Sequence, residues 1–197
     1  LSLNASPLHL NKQGVRHQVV RERAMATRMP IVFANLIGGQ DELIFDGASF
    51  AMDGDGTLTH QLEAFAEALV VVEFANGRLV PGVIAAALSD EAEVYAALQL
   101  GVRDYVGKNG FPGVIIGLSG GMDSALTLAI AVDALGADKV RCVMMPSSYT
   151  AQMSLDDSRD MVQRLGVQYD EIAIGPLMEL YGVSLAPTLA ALGPKPA

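Results

Sequence analysis

The second half of the chain alternates short apolar segments with helical patterns, and this alternation restricts the fold more than any other feature. The segments that predict strands cover residues 114–118, 140–145 and 168–174. Helical patterns lie between them, over residues 125–135 and from an S-x-x-D start at Ser154 to Leu165. Strands separated by helices in this way form βαβ units, whose neighbouring strands run parallel. The sequence therefore predicts an α/β fold, and parallel sheets of this kind bind ligands at the carboxyl ends of their strands.

A glycine-rich turn joins the first of these strands to the first helix. Its residues are Gly117, Leu118, Ser119, Gly120, Gly121, Met122, Asp123 and Ser124. The two adjacent glycines carry no Cβ atom, so backbone N–H groups can come close to an anion, and the positive end of the helix dipole points to the same place. A carboxylate beside a phosphate repels it unless a cation lies between them, so Asp123 predicts a bound Mg²⁺.

Other interpretations of this turn fit the sequence less well. The turn lacks the G-K-[ST] ending of a Walker A loop and the G-x-G-x-x-G spacing of a dinucleotide fold. It does satisfy G-x-S-x-G, in which Ser119 would be the nucleophile of an α/β-hydrolase, but that enzyme class needs a histidine after the serine. The histidines of this chain all precede it, at His9, His17 and His60. A purely structural turn remains possible, although such a turn requires no aspartate.

The first half of the chain predicts one helix and several short strands. The helix runs over residues 12–27, with Val15, Val19 and Met25 as its apolar positions, and a predicted strand follows at residues 31–35. Turns of hairpins are predicted at Gly38-Gly39, Asp46-Gly47 and residues 53–56, and a last strand at residues 68–74.

A connecting helix is predicted next. Asp90 and Glu93 resemble a capping box, and the apolar positions that follow at helical spacing are Val94, Leu98, Val102 and Tyr105 or Val106. This pattern is typical of an amphipathic linker helix. The loose Gly/Pro/Ala ending over residues 193–197 and the missing initiator Met suggest a piece of a longer polypeptide.

Charge and cysteine content exclude several classes of function. The net charge of −9, without clusters of Lys or Arg, argues against a nucleic acid partner. No apolar run approaches the ~20 residues that span a bilayer, and no signal peptide pattern is visible, so we expect a cytoplasmic protein without a membrane partner. The single cysteine, Cys142, rules out an internal disulfide, and its place in an apolar strand predicts core packing.

Two parts of the sequence resemble known enzyme families. The run S-G-G-x-D-S resembles the pyrophosphate loop of enzymes that split ATP between its α and β phosphates, and residues 144–158 are similar to the second strand and helix of NAD synthetases. Asn4-Ala5-Ser6-Pro7 with Lys12, together with residues 38–49, resembles the carboxyl half of a nitrilase-type amidase. An amidase followed by a pyrophosphate-loop synthetase is the layout of the glutamine-dependent NAD synthetase family.

The resemblance implies a division of the chain. Residues 1–87 would form the carboxyl half of a nitrilase-type α-β-β-α sandwich, with glutaminase activity in the family, and residues 88–109 would form the linker helix. Residues 110–197 would form the amino-terminal part of a doubly wound parallel-sheet domain of the adenine-nucleotide alpha-hydrolase type. In the family, ATP adenylates nicotinic acid adenine dinucleotide, and ammonia from glutamine displaces AMP to give NAD.

The resemblance also implies roles for individual residues. Ser6 and Lys12 would bind glutamine, Gly117 to Ser124 would bind ATP, and Asp123 would hold Mg²⁺. The family's glutaminase Cys, Glu and Lys precede the segment around Ser6, so we expect no catalytic residue of that reaction in this chain. A homo-oligomer is expected because the two activities are linked. Three alternatives stay open: another amide-forming ligase, a sulfur transferase of the same superfamily, and a non-catalytic nucleotide-binding protein.

Overall fold

The computed structural model describes residues 1–191, and the chain divides into two compact units that meet in sequence at Phe111 and Pro112. The strands of the first unit are β1 (Ser2–Asn4), β2 (Ile31–Asn35), β3 (Ile37–Gln40), β4 (Leu43–Asp46), β5 (Phe50–Met52), β6 (Leu58–Gln61), β7 (Phe74–Ala75) and β8 (Arg78–Leu79). Its helices are α1 (Lys12–Thr27) and α2 (Asp90–Lys108). The predicted Gly/Pro/Ala ending lies outside the described residues.

A mixed four-stranded sheet forms the centre of the first unit. Its strand order is β1-β2-β5-β6, with β1 and β2 parallel and the other neighbours antiparallel. Phe33 and Phe50 stack with ring centroids 4.9 Å apart, and Val20 of α1 belongs to the same buried cluster. Helix α1 therefore packs on this sheet and buries part of its apolar surface there.

The predicted apolar positions of α1 proved wrong. Val15, Val19 and Met25 are exposed, whereas the buried residues are Arg16, Val20 and Ala24, spaced four apart on one face. The pattern misled because a charged residue occupies the buried face. Arg16 is buried against the carboxylate of Asp46, which neutralises its charge.

Two further expectations for the first unit are corrected by the structure. Gly38 and Gly39 lie inside strand β3, and the turn of the β3–β4 hairpin falls at Asp41. Residues 68–73 form no strand; the ladder begins only at Phe74, because the hairpin β7–β8 is set by an Asn76-Gly77 turn in which both residues have positive φ.

Helix α2 packs on the β3–β4 hairpin through contacts that explain the two strand glycines. The carboxylate Oδ2 of Asp104 accepts a hydrogen bond of 2.7 Å from the Gly39 N–H, and Lys108 Nζ donates to the Gly39 carbonyl at 2.5 Å. A Cβ atom on Gly39 would lie 3.2 Å from Asp104 Cβ and 3.3 Å from the Gly101 Cα. The glycines thus let a helix approach the strand backbone closely.

The cap and the buried face of α2 also differ from expectation. The side chain of Ser89, not Asp90, caps the helix by accepting from the Ala92 N–H at 3.3 Å. Of the predicted apolar positions, Val94 and Leu98 are exposed and Val106 is buried as expected, whereas the other buried residues, Ala97 and Leu100, were not predicted. On the side facing the hairpin, Gly101 and the Asp104 side chain lie against Gly39.

The second unit is an open parallel sheet with helices. Its strands are β9 (Val114–Gly117), β10 (Val140–Met144) and β11 (Gln168–Glu171). Its helices are α3 (Met122–Leu135), α4 (Gln152–Leu165) and α5 (Gly175–Ala191), with a short 3₁₀ turn at Ala137–Lys139. The strand order β11-β10-β9, all parallel, confirms the predicted alternation.

One core cluster joins this sheet to α3 and α4. It contains Leu128 of α3 and Val162 of α4, packed with strand residues such as Cys142, which is fully buried. Burial also raises the pKa of the Cys142 thiol, so the prediction of a packing role for this residue is confirmed. Helix α4 begins at Gln152 rather than at the predicted Ser154, and ends as predicted before Gly166. No helix within residues 1–191 combines the length and the apolar character needed to cross a membrane.

Replacing Gly39 with Ala tests the close contact of α2 with β3. The added Cβ meets atoms on two sides at 3.2 and 3.3 Å, so we expect the free energy of unfolding to fall by about 1–3 kcal/mol. The matched control is Gly107→Ala, on the same helix with no atom within 4 Å of its Cβ, which should leave stability equal or higher. Equal effects of the two substitutions in urea unfolding would contradict the contact.

Candidate functional site

The glycine-rich loop follows strand β9, at the edge of the sheet where all three parallel strands of the second unit end. Leu118 anchors it: its side chain is 3% exposed in the core, and its N–H donates to the Val143 carbonyl at 3.0 Å. Leu118 therefore fixes the loop to the neighbouring strand. The residues after it, Ser119 and Gly121, are exposed and face solvent.

Two serine hydroxyls close the loop on itself. The Oγ atoms of Ser119 and Ser124 are 3.0 Å apart, and Ser124 Oγ donates to the Gly121 carbonyl at 3.0 Å. The Ser119 N–H also donates to Ser124 Oγ, at 3.2 Å. These contacts hold the loop in a fixed curve without any ligand, which is what a preorganised anion site requires.

The amino end of α3 opens onto this loop. Its cap, Gly121, has no side chain, so the N–H groups of the first turn receive no capping bond from it. Uncapped N–H groups and the helix dipole together attract a phosphate. The exposed Asp123 is the acidic residue of this first turn.

A second helix contacts the loop, which the sequence did not indicate. Gly120 has a φ of +77°, and a Cβ atom there would lie 2.4 Å from the Ser154 carbonyl oxygen and 2.6 Å from the Ser154 Cα. Ser154 belongs to the first turn of α4, so the amino end of that helix lies against the loop as well. This contact explains why residue 120 is a glycine: its positive φ disfavours other residues, and a Cβ atom would collide with the Ser154 backbone.

The metal expectation can be tested against the acidic groups present. Within residues 1–191, no three His, Cys, Asp or Glu side chains are grouped as a protein-only metal site. Mg²⁺, however, is commonly bound by one or two carboxylates together with substrate phosphates. Asp123, exposed beside the anion-binding turn, fits such a shared site. It would supply one oxygen ligand, the phosphates the others.

The geometry also bears on the hydrolase interpretation. The two partners of Ser119 Oγ are Ser124 Oγ and, at 3.4 Å, the Gly121 N–H, and both lie in the same loop. A serine nucleophile is instead activated by a base that accepts its proton. The hydroxyl of Ser119 is thus engaged in shaping the loop.

In the first unit, Ser6 is held by hydrogen bonds to two other residues, Asn35 and Arg16. Its N–H donates to Asn35 Oδ1 at 2.9 Å, and its carbonyl accepts from Arg16 at 2.7 Å. Its hydroxyl oxygen accepts from Arg16 Nε at 3.2 Å. Neither Asn35 nor Arg16 was expected from the sequence, because both are distant from Ser6 along the chain.

Lys12 begins helix α1, close in sequence to this segment. Its N–H donates to the His9 carbonyl at 3.0 Å, which fixes the start of the helix. In the described part of the chain, its Nζ makes no hydrogen bond or ion pair. A partly buried ammonium group without an internal partner is free to bind an anionic group of a ligand.

A cavity of about 450 Å³ lies beside α1 in the same unit. Its polar lining includes His17, Gln61 and Glu93, with His17 Nε2 2.8 Å from Gln61 Oε1. Burial lowers the pKa of His17 and, with Asp46 nearby, raises the pKa of Glu93. Both shifts have the same main cause, since burial in this cavity disfavours the charged form of each group.

Comparison with known proteins identifies the family. The NAD synthase family matches residues 94–191. The glutamine-dependent NAD(+) synthetase of Rhodobacter capsulatus is 46% identical over 196 residues, and that of Acinetobacter baylyi is 45% identical over 189 residues. These matches cover 97% and 95% of this chain, which spans about 35% of the length of either relative.

A solved structure agrees with these relatives. The glutamine-dependent NAD+ synthetase of Acinetobacter baumannii, in complex with ADP, has a TM-score of 0.91 and is 41% identical. The match covers 100% of this chain and 38% of that one. This chain is a homologue of the glutamine-dependent NAD(+) synthetases. The resemblance stated from the sequence is therefore confirmed, and the mixed α/β fold with it.

The binding roles of individual residues in this chain remain predictions. The loop residues Gly117 to Ser124 do form one compact site with Asp123, whereas Ser6 and Lys12 belong to the other unit. The structure adds three residues that contact the predicted ones: Ser154 lies against Gly120, and Arg16 and Asn35 bind Ser6. Each is distant in sequence from the residue that it contacts, so no local pattern indicates the contact.

Gly120→Ala tests whether the loop shape is needed for nucleotide binding by this NAD synthetase homologue. The substitution forces a Cβ against the Ser154 backbone at positive φ, so ATP affinity measured by calorimetry should fall at least about tenfold. Gly182→Ala, in α5 of the same unit and outside the loop, is the control, since its Cβ would meet no atom within 4 Å. Unchanged affinity in Gly120→Ala would show that the loop does not hold the phosphates.

Proposed function

We propose that this chain forms part of an enzyme that makes NAD from nicotinic acid adenine dinucleotide, ATP and glutamine. The observation that carries the proposal is the self-closed loop between β9 and α3, with Asp123 in the first helical turn. The homologous NAD synthetases support the acceptor, and the ADP bound by the Acinetobacter baumannii enzyme supports the nucleotide.

In the synthetase reaction, the loop would hold the phosphates of ATP. N–H groups at the start of α3 would bind phosphate oxygens, and the hydroxyls of Ser119 and Ser124 would keep the loop closed around them. The nicotinate carboxylate attacks the α-phosphorus, pyrophosphate leaves, and ammonia then displaces AMP to form the amide. Mg²⁺, held by Asp123 and the phosphates, would neutralise charge on the departing pyrophosphate.

In the glutaminase reaction, this chain would supply substrate-binding groups. We assign Ser6 and Lys12 to the glutamine site: a serine hydroxyl and a free ammonium group suit the α-carboxylate of an amino acid. Residues 1–87 would belong to a nitrilase-type sandwich, with residues 88–109 as the helix that leads to the synthetase part, 110–197. No residue of this chain is proposed to break the amide bond.

Two finer points belong to the same proposal. The sheet of the second unit would be the beginning of a doubly wound sheet, since α3 and α4 pack on the same core and the second face carries the exposed Ile115. A homo-oligomer is proposed from the family resemblance. Neither point is needed for the chemistry of the loop.

Measuring NAD separates this function from its rivals. The full-length polypeptide carrying this sequence should form NAD from nicotinic acid adenine dinucleotide, ATP and either glutamine or ammonia. Another amide-forming ligase or a sulfur transferase would give no NAD. Asp123→Asn should lower the rate at least ~10³-fold with both nitrogen sources, because the charged side chain that would hold Mg²⁺ beside the phosphates is lost. Near-normal turnover of that variant would remove Asp123 from the metal site.

Lys12→Ala tests the glutamine site separately. Loss of a charge-assisted contact to the substrate carboxylate should raise the glutamine concentration needed by about ten- to a hundredfold. NAD synthesis from ammonia should be unchanged, because the nucleotide loop lies in the other unit. Lys139→Ala, at an exposed position of the second unit, is a charge-matched control. Equal losses with glutamine and ammonia would mark Lys12 as structural.

A further inference from the structure

Arg16 is the most heavily engaged charged residue of the first unit, yet no role in binding or catalysis has been given to it above. The residue is 5% exposed, and its partner Asp46 is 1% exposed. Its guanidinium donates to both carboxylate oxygens of Asp46, at 2.7 and 2.9 Å. A bidentate pair of this kind fixes the guanidinium plane as well as its position.

Arg16 also donates to the segment around Ser6. Nε donates to Ser6 Oγ at 3.2 Å, and Nη2 donates to the carbonyls of Ser6 at 2.7 Å and Pro7 at 3.3 Å. Nη1 donates to Gln13 Oε1 at 3.1 Å as well as to Asp46. A structural ion pair alone would need no contact with the side chain of Ser6. The guanidinium therefore connects the buried carboxylate of Asp46 to the partly buried hydroxyl of Ser6.

The direction of the Arg16–Ser6 bond has a chemical consequence. A guanidinium has only N–H donors, so Ser6 Oγ must be the acceptor. The hydroxyl proton of Ser6 cannot point back to Arg16 and is left to be donated elsewhere. A positive group bound to the oxygen also makes that proton a better donor. The result is a hydroxyl prepared to donate to an anionic acceptor such as a carboxylate.

We propose that Arg16, held by Asp46, is a positioning residue that sets the Ser6 hydroxyl to donate to the carboxylate of glutamine. The inference rests on the proposed glutamine site and names the group that orients it. Asn35 assists from the other side, because its Oδ1 accepts the Ser6 N–H and its Nδ2 donates to the Ser6 carbonyl at 3.3 Å.

The buried charge pair has a reason in this scheme. A guanidinium 5% exposed needs a counter-charge, and Asp46 provides it by accepting from both terminal nitrogens of Arg16. The pair is then close to neutral as a whole, so it adds directed N–H donors near the substrate without a strong unspecific attraction for anions. An uncharged donor at this place would position Ser6 but polarise its hydroxyl less.

A double-mutant cycle tests the proposal in the full-length enzyme. The variants are Ser6→Ala, Arg16→Lys and their combination; Lys keeps the positive charge near Asp46 but cannot bind the carboxylate and Ser6 Oγ together. Both single variants should raise the KM for glutamine about tenfold, with kcat and ammonia-driven NAD synthesis within about twofold of the parent. The double variant should be no worse than Ser6→Ala, because Arg16 acts through that hydroxyl.

Three results would overturn the proposal, and each has a different meaning. If Arg16→Lys raises KM by the same factor with and without Ser6, Arg16 acts by another route. If only Ser6→Ala raises KM, Ser6 needs no positioning by Arg16. If Ser6→Ala changes nothing while Lys12→Ala still raises KM, the glutamine site stands without Ser6. If the unsubstituted full-length enzyme makes no NAD from ammonia, the proposed function itself is refuted.

A substitution of Asp46 gives a second test, read from the glutamine KM at a temperature at which the variant is folded. Asp46→Asn keeps the side-chain shape and one acceptor for Arg16 but removes the counter-charge. It should raise the glutamine KM in the same direction by a smaller factor, and this rise should vanish in the Ser6→Ala background. A purely structural pair would instead lower the melting temperature and the ammonia-driven rate together, independently of Ser6.

Discussion

The buried ion pair between Arg16 and Asp46 is the interaction on which the first unit depends. It joins helix α1 to strand β4, and through the remaining donors of Arg16 it holds the segment after β1. Both charges are removed from water, so the loss of either partner would leave an uncompensated buried charge. One contact therefore fixes three parts of the chain that are distant in sequence, including Ser6.

The second unit reaches its order by a different route. Helices α3 and α4 share one apolar core with β10, and their amino ends meet at the same loop. Hydroxyls of Ser119 and Ser124 close that loop, and Gly120 allows it to lie against the Ser154 backbone. Hydrogen bonds of Arg16 order the segment around Ser6 in the first unit, whereas close packing against Ser154 orders the loop of the second unit. In both cases the arrangement is formed before any ligand binds.

What could be predicted from the sequence followed the range of the interactions. The three parallel strands and helix α3 of the second unit, the extent of α1 and the burial of Cys142 were predicted correctly, because periodicity and capping act over a few residues. Helix α5 was not predicted, and α4 begins two residues earlier than expected. The buried face of α1 was predicted wrongly, since a pattern of apolar residues gives no sign that Arg16 finds a carboxylate thirty positions away. The strand at residues 68–73 failed for a similar reason, as β-branched residues favour strands only where a partner strand is present. Arg16, Asn35 and Ser154 were missed because their partners are revealed only by the fold.

Helix α2 shows that boundaries drawn by sequence and by packing need not coincide. The NAD synthase match begins at residue 94, inside this helix, whereas Asp104 and Lys108 bind it to Gly39 of the first unit. A gene fusion or recombination event that joined the two parts at the family boundary would remove from the hairpin the helix that covers it. A recombination junction that keeps this packing intact therefore has to lie after Lys108.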